Sequence, residues 1–511
     1  MVQENRKRQL SLNMITNIIA FILNLFLNFF ISPYIINQLG SEAYGYVKLA
    51  NDFVNYATLI TIALNSMASR FITIALYEGK KERANQYYSS IAISNIVLST
   101  ILIIPSFLCV YFLEDLIEIP ISLQFDVKIT FGVVFLNFLI NLVFTTPGLC
   151  FFMKNRLDIS YRKNIDSIIL RFVTIIILFL FLKPRIVYMA LGTTISTLYI
   201  VVVNIHYKKV LLPEMEFKVQ YFDFSTLKEV LSSGVWNSLT KLSQIFSSGL
   251  DLLITNLYID AAAMGLLSVA KTIPNVIVSF LGSLAGVFCP DFTILYAQGK
   301  KEELIESIEG AMKIMSIISA IPNAILLSLG VEFYKLWVPG EPAQVLQILS
   351  VLTVVNSCVT GPLQPIYQIF TVTNKVKQSS IVMILYGFSS ILVTLLLVRT
   401  TNLGVFAVAG VSLIGSLIVA LFYHLPFGAH YLNLPWWSFF PEIGKSVLSF
   451  FVTVGIGYFL KLFLSVDSWI GWFVAAIIIL VLGLTINFYL ILSKKERNSC
   501  KNMIISKVRR K

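Results

Sequence analysis

Apolar stretches long enough to cross a lipid bilayer follow one another along almost the whole chain. About 20 apolar residues in a helix span the hydrocarbon core, and a helix satisfies its own backbone hydrogen bonds there. The chain is 57% hydrophobic and 13% charged, whereas a soluble domain carries about 25% charged residues. The pattern predicts an all-α polytopic membrane protein and excludes a water-soluble enzyme.

We place about 14 transmembrane helices between the polar loops. The predicted spans cover residues 10–32, 45–68, 88–113, 128–151, 165–182, 186–206, 230–258, 262–289, 304–330, 343–370, 376–398, 402–423, 444–464 and 468–492. The first run is interpreted as an uncleaved helix rather than a signal peptide. Basic residues concentrate in the loops of one side, which the positive-inside rule assigns to the cytoplasm together with both termini. The same bias explains the net charge of +12 without a nucleic-acid partner.

An internal repeat divides the chain. Gly79-Lys80-Lys81-Glu82 recurs as Gly299-Lys300-Lys301-Glu302, an offset of 299 − 79 = 220 residues. The same offset pairs Asn17 with Asn237, Gly45 with Gly265, Asn55 with Asn275, and Thr73 with Thr293. A copy with six spans returns the chain to its starting side, so the repeat is parallel.

The repeat predicts the domain organisation. We expect an N-terminal six-helix bundle at residues 1–210, a cytoplasmic linker at 211–229 and a C-terminal six-helix bundle at 230–430. Residues 431–511 have no counterpart and form two additional helices with a basic cytoplasmic tail. The repeated loops are interpreted as a glycine that ends one helix and a charged start to the next, rather than as substrate contacts.

Polar residues recur at helical spacing in the first two spans of each copy. Such a stripe must face protein or water, because lipid cannot satisfy it. Helix–helix hydrogen bonding and a cavity lining both remain open for the first span, and the cavity is favoured for the seventh. The predicted cavity lining consists of Asn17, Asn24, Asn28, Asn55, Asn237, Gln244, Ser248 and Asn275.

Ionisable residues inside predicted spans are costly and therefore functional candidates. They are Lys241, Lys271, Lys48, Asp251 and Asp52. Two alternatives stay open: a buried Lys271–Asp251 ion pair, and interfacial positions for Lys48 and Asp52. Pro274 is expected to kink the eighth span. Arg171 and Lys313 are interpreted as side chains that extend to the cytoplasmic interface.

The sequence shows no pattern typical of catalysis. The five cysteines are widely spaced and are interpreted as packing residues, and the three histidines are too scattered for a metal site. Neither a phosphate-binding loop nor a nucleophile motif is present. The chain is therefore not expected to be an enzyme, and no cofactor or metal is expected.

Three features near the N-terminus resemble one family. A basic N-terminus leads into an Asn-rich first helix, Leu39-Gly40-Ser41-Glu42-Ala43-Tyr44-Gly45 resembles its turn before helix two, and Gly79-Lys80-Lys81-Glu82 resembles its loop after helix two. The chain is similar to the polysaccharide-transporter branch of the multidrug/oligosaccharidyl-lipid/polysaccharide (MOP) exporter superfamily. Within this branch, the O-antigen and capsule repeat-unit flippases of the Wzx type match best.

The resemblance implies a flippase that moves undecaprenyl-pyrophosphate-linked oligosaccharides across the bacterial plasma membrane by alternating access, for O-antigen or capsule biosynthesis. It implies Lys241, Lys271 and Lys48 as pyrophosphate ligands. Asp251 or Asp52 are candidates for ion coupling. The implied partners are the lipid-linked oligosaccharide, membrane lipids, a polysaccharide polymerase and chain-length machinery.

Two alternatives are weighed against this function. A multidrug or small-molecule ion-coupled exporter of the same superfamily should have an acidic or aromatic cavity, whereas the lysines here at least match the aspartates. A membrane glycosyltransferase or polymerase should carry acidic, Arg or His catalytic residues in a sizeable outer loop, and none is evident.

Overall fold

The computed structural model describes residues 2–154, 156–285, 288, 292, 295–296, 299–373, 375–494 and 496–497. Over these residues the chain is built from helices, and it divides into two compact units, Met1–Gly265 and Leu266–Lys511. The predicted all-α polytopic fold is confirmed. The predicted bundle and linker boundaries remain expectations.

The first unit contains nine complete helices and the start of a tenth. They are α1 (Val2–Tyr77), α2 (Lys81–Tyr111), α3 (Leu113–Leu116), α4 (Gln124–Gly148), α5 (Cys150–Met153), α6 (Leu157–Phe181), α7 (Val187–Leu211), α8 (Phe224–Gln244), α9 (Asp251–Tyr258) and α10 (Ala261–Ala270). A π-helix, Ile245–Gly249, joins α8 to α9.

The described helices that follow α10 belong to the second unit. They are α11 (Thr272–Ala285), α12 (Lys301–Trp337), α13 (Ala343–Val354), α14 (Ser357–Val372), α15 (Val376–Thr400), α16 (Val405–Val419), α17 (Leu425–Tyr431), α18 (Phe440–Lys461) and α19 (Trp469–Ile491). Their core includes Leu363, Ile366, Phe439 and Phe450.

Eleven helices of the described chain are long and apolar enough to cross a membrane, or up to twelve if the bent pair α10–α11 is one span. This count treats Ile15–Leu76 as one helix of 62 residues. At about 1.5 Å per residue such a helix would be roughly three times as long as the hydrocarbon core is thick. Gly40 breaks it, with φ 86° and ψ 162°, so α1 consists of a first arm (2–39) and a second arm (41–77).

The predicted seventh span, 230–258, is formed by α8, the π-helix and α9. It is not among the apolar helices counted above. Its serines, Asn237 and Lys241 lower its hydropathy, and the π-helix divides it. A helix of this kind is stable in a membrane only where protein or water surrounds its polar face.

The repeated glycine loops end helices, as predicted. Gly79 has φ 78° and Gly299 has φ 68°, a left-handed conformation that glycine adopts readily. In both loops the next amide reaches back to a carbonyl five residues earlier, from Lys80 to Ala75 at 2.9 Å and from Lys300 to Leu295 at 3.1 Å. These bonds satisfy carbonyls at the end of the preceding helical turn.

The segment predicted as a linker is attached to α2. The amide of Glu216 donates to Asn85 Oδ1 at 3.0 Å, and that of Asp223 donates to Ser90 Oγ at 2.9 Å. Leu212 is buried in the apolar core that includes Ile72 and Ile91. The segment is therefore a structured part of the first unit, and Asp223 caps α8 by accepting from the amides of Ser225 and Thr226.

Helix α8 approaches the second arm of α1 at backbone distance. A Cβ built on Gly234 would lie 1.7 Å from the carbonyl oxygen of Ala63. A Cβ on Gly265 would likewise lie 2.7 Å from the amide nitrogen of Glu42, and one on Gly45 would lie 3.1 Å from the Gly265 Cα. Gly45 and Gly265 are equivalent positions of the repeat and lie where α10 packs against the second arm of α1. At Gly265 a Cβ would collide with backbone atoms, and at Gly45 it would make a tight contact.

We predict that Gly234→Ala destabilises the protein by about 1–3 kcal/mol, because the added methyl group forces the two helices apart. Thermal unfolding in detergent measures the loss. Gly132→Ala in α4 is the matched control, since nothing lies within 4 Å of a Cβ at that position. Equal melting temperatures for the two variants would contradict the close approach.

Candidate functional site

The interface between α8 and the second arm of α1 is polar as well as close. Asn237 Nδ2 donates to Ser66 Oγ at 3.0 Å, and Ser238 Oγ donates to the Leu59 carbonyl at 3.3 Å. The Asn237 amide, predicted to line a cavity, is thus engaged in a helix–helix hydrogen bond. Whether its other atoms also face water stays a prediction.

The contacting faces of the two helices continue into charged residues. On α8, one turn beyond Ser238 lies Lys241, which is half-buried. On the second arm, the face that carries Leu59 continues through Asn55 and Asp52 to Lys48 at spacings of three or four residues. By helical spacing, Lys241 on α8 and Lys48 and Asp52 on the second arm therefore lie on the faces along which the two helices pack.

Tyr56 connects this seam to the end of α8. Its hydroxyl donates to the carbonyl oxygen of Gly249 at 2.7 Å. The same hydroxyl lies within electrostatic range of both Asp52 and Asp251. We name Lys48, Asp52, Tyr56, Lys241 and Asp251 the charged seam.

The π-helix explains how Asp251 reaches the seam. An inserted π turn shifts the register of every residue after it, and such turns are frequent at functional sites. Asp251 begins α9 two residues after Gly249, with Leu250 between them, and is 9% exposed. The sequence pattern indicates Asp251 but neither Tyr56 nor the π-helix. The one local sign of the irregular turn is Gly249, which follows two serines.

Lys48 lies against an aromatic ring. Its ammonium group is 5.1 Å from the centroid of the Tyr44 ring, a cation–π distance. Tyr44 is 1% exposed, and its hydroxyl is 3.0 Å from Ser32 Oγ in the first arm. Lys48 is therefore held in the first unit by a ring that is itself anchored.

The first arm of α1 satisfies part of its polar stripe internally. Asn28 Nδ2 donates to the carbonyl and to the Oδ1 of Asn24, both at 2.7 Å. Asn13 Oδ1 accepts from the amide of Asp158 at 2.8 Å. Asn17 is exposed. Hydrogen bonds within the protein thus account for part of the stripe, and the cavity lining stays a prediction.

In the second unit, Lys271 lies at a break. α10 ends at Ala270, α11 begins at Thr272, and the two are bent by 41°, which confirms the predicted kink. Pro274 cannot donate to the carbonyl of Ala270, and that carbonyl accepts from Ser350 Oγ at 2.8 Å instead. Lys271 is half-buried, and Asn275 in the next turn is exposed.

The remaining predicted residues divide as follows. Asn55 and Gln244 are exposed, and the side chain of Ser248 lies outside the described residues. Cys150 and Cys358 are buried and Cys109 is half-buried; Cys289 and Cys500 lie outside the described residues. Lys241 belongs to the first unit and Lys271 to the second. Their common role as substrate ligands stays a prediction.

Comparisons with known proteins agree with this architecture. The sequence model of a family described as "Polysaccharide biosynthesis protein" matches residues 10–295. The "Uncharacterized membrane protein EpsK" of Bacillus subtilis (strain 168) is 26% identical over 411 residues, which cover 80% of this chain and 81% of that protein.

Two solved transporters share the fold. An inward-facing multidrug resistance MATE family transporter of the MOP superfamily superposes with a TM-score of 0.64 at 17% identity, covering 83% of this chain and 97% of its own. The inward closed conformation of the lipid II flippase MurJ gives a TM-score of 0.62 at 14% identity, covering 93% and 98%. At these identities the likeness establishes the fold alone.

We predict that Tyr56→Phe lowers the free energy of unfolding by about 1 kcal/mol, because the Gly249 carbonyl loses its hydrogen bond. Thermal unfolding of the purified protein measures the change. Tyr34→Phe is the matched control, since its ring contact with Phe179 (5.5 Å between centroids) does not need the hydroxyl. A variant as stable as the control would show that the bond at Tyr56 contributes nothing.

Proposed function

The chain belongs to the family of polysaccharide biosynthesis proteins, and on that premise we propose that it is a flippase for lipid-linked oligosaccharides. Its substrate is an oligosaccharide repeat unit on undecaprenyl pyrophosphate. The protein moves this unit from the inner to the outer leaflet of the bacterial plasma membrane. The products are used for surface polysaccharide, either O-antigen or capsule.

The observation that carries this proposal is the charged seam within a transporter fold. A polar α8 that carries Lys241 packs against the second arm of α1, which carries Lys48 and Asp52. A pyrophosphate that crosses the hydrocarbon core needs compensating positive charge, and lysine supplies it as a flexible point charge. Lys241, Lys48 and Lys271 are the proposed pyrophosphate ligands.

The other polar residues of the proposed path have separate roles. Amide and hydroxyl side chains such as Asn17, Asn24 and Gln244 hydrogen-bond sugar hydroxyls without selecting one sugar. Asp52 and Asp251 both act electrostatically on the Tyr56 hydroxyl, and we assign them to ion coupling. Loss of a proton or a bound cation there would restore negative charge beside Lys48 and so favour release of the pyrophosphate.

The proposed cycle is alternating access, in which the two predicted bundles rock about the substrate path. Both termini lie in the cytoplasm, as the basic loops require. A polysaccharide polymerase and chain-length machinery take over the repeat unit on the outer side. The protein performs transport, and no bond of the substrate is broken.

One observation favours a second candidate, an ion-coupled exporter of small cations. Two carboxylates, Asp52 and Asp251, act electrostatically on the aromatic residue Tyr56, and acidic and aromatic groups together suit organic cations. The lysines of the same seam would repel a cationic ligand. The flippase therefore remains the function that the geometry supports best.

We predict that Lys241→Ala and Lys271→Ala each reduce surface polysaccharide at least about tenfold, the effect of losing one charge-assisted contact worth roughly 1.5–3 kcal/mol. The measurements are polysaccharide on the cell surface and lipid-linked repeat units retained inside, in a deletion strain that expresses each variant. Retained repeat units should rise as surface polymer falls.

The matched control is Lys209→Ala, at an exposed lysine in the last turn of α7. Lys241→Arg keeps the charge and should restore part of the export. Normal surface polysaccharide with both alanine variants present at wild-type levels in the membrane would refute the proposed ligands. Altered drug resistance with unchanged polysaccharide would favour the cation exporter.

A further inference from the structure

The first unit contains a polar cavity whose lining includes none of the charged-seam residues. It lies among the second arm of α1, α4, α6 and α7 and has a volume of about 240 Å³. Its polar lining consists of Asn51, Asn137, Asn141, Arg171 and Thr193. No carboxylate belongs to the residues that line it in the described part of the chain.

Asn137 is the least satisfied side chain of this cavity. It is 5% exposed, and neither its Nδ2 nor its Oδ1 has a hydrogen-bond partner within the described structure. Leaving a buried donor or acceptor unpaired costs about 1–3 kcal/mol per group. A side chain of this kind at a cavity wall is normally satisfied by something in the cavity.

Arg171 adds a charge to the same wall. Its Nε atom is buried and lacks a hydrogen-bond partner among the described residues. The sequence predicts that Arg171 extends to the cytoplasmic interface. The structure places it farther from the helix end, because α6 begins at Leu157 rather than near 165. Arg171 lies about 21 Å from Leu157 and about 15 Å from Phe181 along the helix, at about 1.5 Å per residue.

The packing of α7 holds Arg171 in place. A Cβ on Gly192 would lie 3.1 Å from the carbonyl oxygen of Arg171 and 2.6 Å from Ile175 Cγ1. The glycine therefore lets α7 contact α6 at the level of the arginine. Thr193, the next residue, lines the cavity, and its hydroxyl donates to the carbonyl oxygen of Met189 at 2.9 Å.

Arg171 also lacks the counter-charge that two other cations of the described helices have. Lys313 pairs with Glu496 at 2.8 Å, and Lys461 pairs with Glu332 at 2.7 Å. The one ionisable group of the described chain that acts electrostatically on Arg171 is Tyr44. An arginine in the hydrocarbon region without a carboxylate is costly unless another anion neutralises it.

We propose that this cavity is an anion-binding site in which Arg171 and Asn137 Nδ2 donate to a halide or a single phosphoryl group. The cavity volume corresponds to roughly eight water molecules at about 30 Å³ each. A volume of this size suits a small hydrated anion. The proposal rests on Arg171 and Asn137 and does not depend on the proposed function.

The anion has two sources with the same chemistry, a free inorganic ion or the phosphate of a lipid. To distinguish them, the full-length protein is purified, exchanged into gluconate and unfolded thermally with sodium bromide or sodium phosphate at constant ionic strength. A third sample is held in nanodiscs with undecaprenyl phosphate. We expect at least one probe to raise the melting temperature by about 2 °C or more.

The variants decide whether Arg171 is responsible. Arg171→Gln and Asn137→Leu should abolish the shift, whereas Arg162→Gln, at an exposed arginine of the same helix, should keep it. If Arg171→Gln does not fold, the same melting-temperature shift is measured in Arg171→Lys and Asn137→Leu. Anomalous scattering from bromide then shows whether an ion lies beside residue 171. A shift with bromide or phosphate identifies a free anion, and a shift with undecaprenyl phosphate alone identifies a lipid phosphate. No shift in the wild type, or a full shift in Arg171→Gln, would overturn the proposal.

Discussion

The hydrocarbon core cannot satisfy a hydrogen bond, and this constraint governs where the polar residues of the protein lie. A donor or acceptor that enters the membrane must find a partner in the protein or in water. The Tyr56 hydroxyl reaches the Gly249 carbonyl, and the Ser350 hydroxyl reaches the Ala270 carbonyl. In both places the accepting carbonyl lies at an irregular turn, where the regular helical hydrogen bond is interrupted. A side-chain hydroxyl donates to that carbonyl instead.

Close helix packing in the membrane follows from the same constraint, because lipid provides no hydrophobic force between helices. Small residues let the backbones approach until dispersion and short polar contacts hold them. Gly234 meets Ala63, and Gly45 meets Gly265. Gly45 and Gly265 occupy the same position in the two copies of the repeat. Each copy therefore contributes one glycine to the contact between them.

The sequence was sufficient for features that depend on local chemistry. Hydropathy predicted most of the spans, although α8 and α9 are not among the eleven or twelve apolar helices of the described chain. Pro274 predicted the kink, and the glycines at 79 and 299 predicted the helix ends. It was insufficient for features set by tertiary packing. Pairing of α8 with the second arm of α1 depends on the close approach of Gly234 to the Ala63 carbonyl, and these residues are far apart in the sequence. The π-helix changes the direction of Asp251, and helical periodicity cannot indicate such a change.

Arg171 shows why charge counting within a span is not enough. In sequence it resembles Lys313, since each follows polar residues near the start of a long apolar run. The structure separates them, because Lys313 meets the carboxylate of Glu496 while Arg171 faces a cavity lined by amides and a hydroxyl. The charged seam contains both lysines and aspartates and can neutralise itself when no substrate is present. The α6 cavity has a cation and no carboxylate in its lining, so only something that enters from outside the helices can balance its charge.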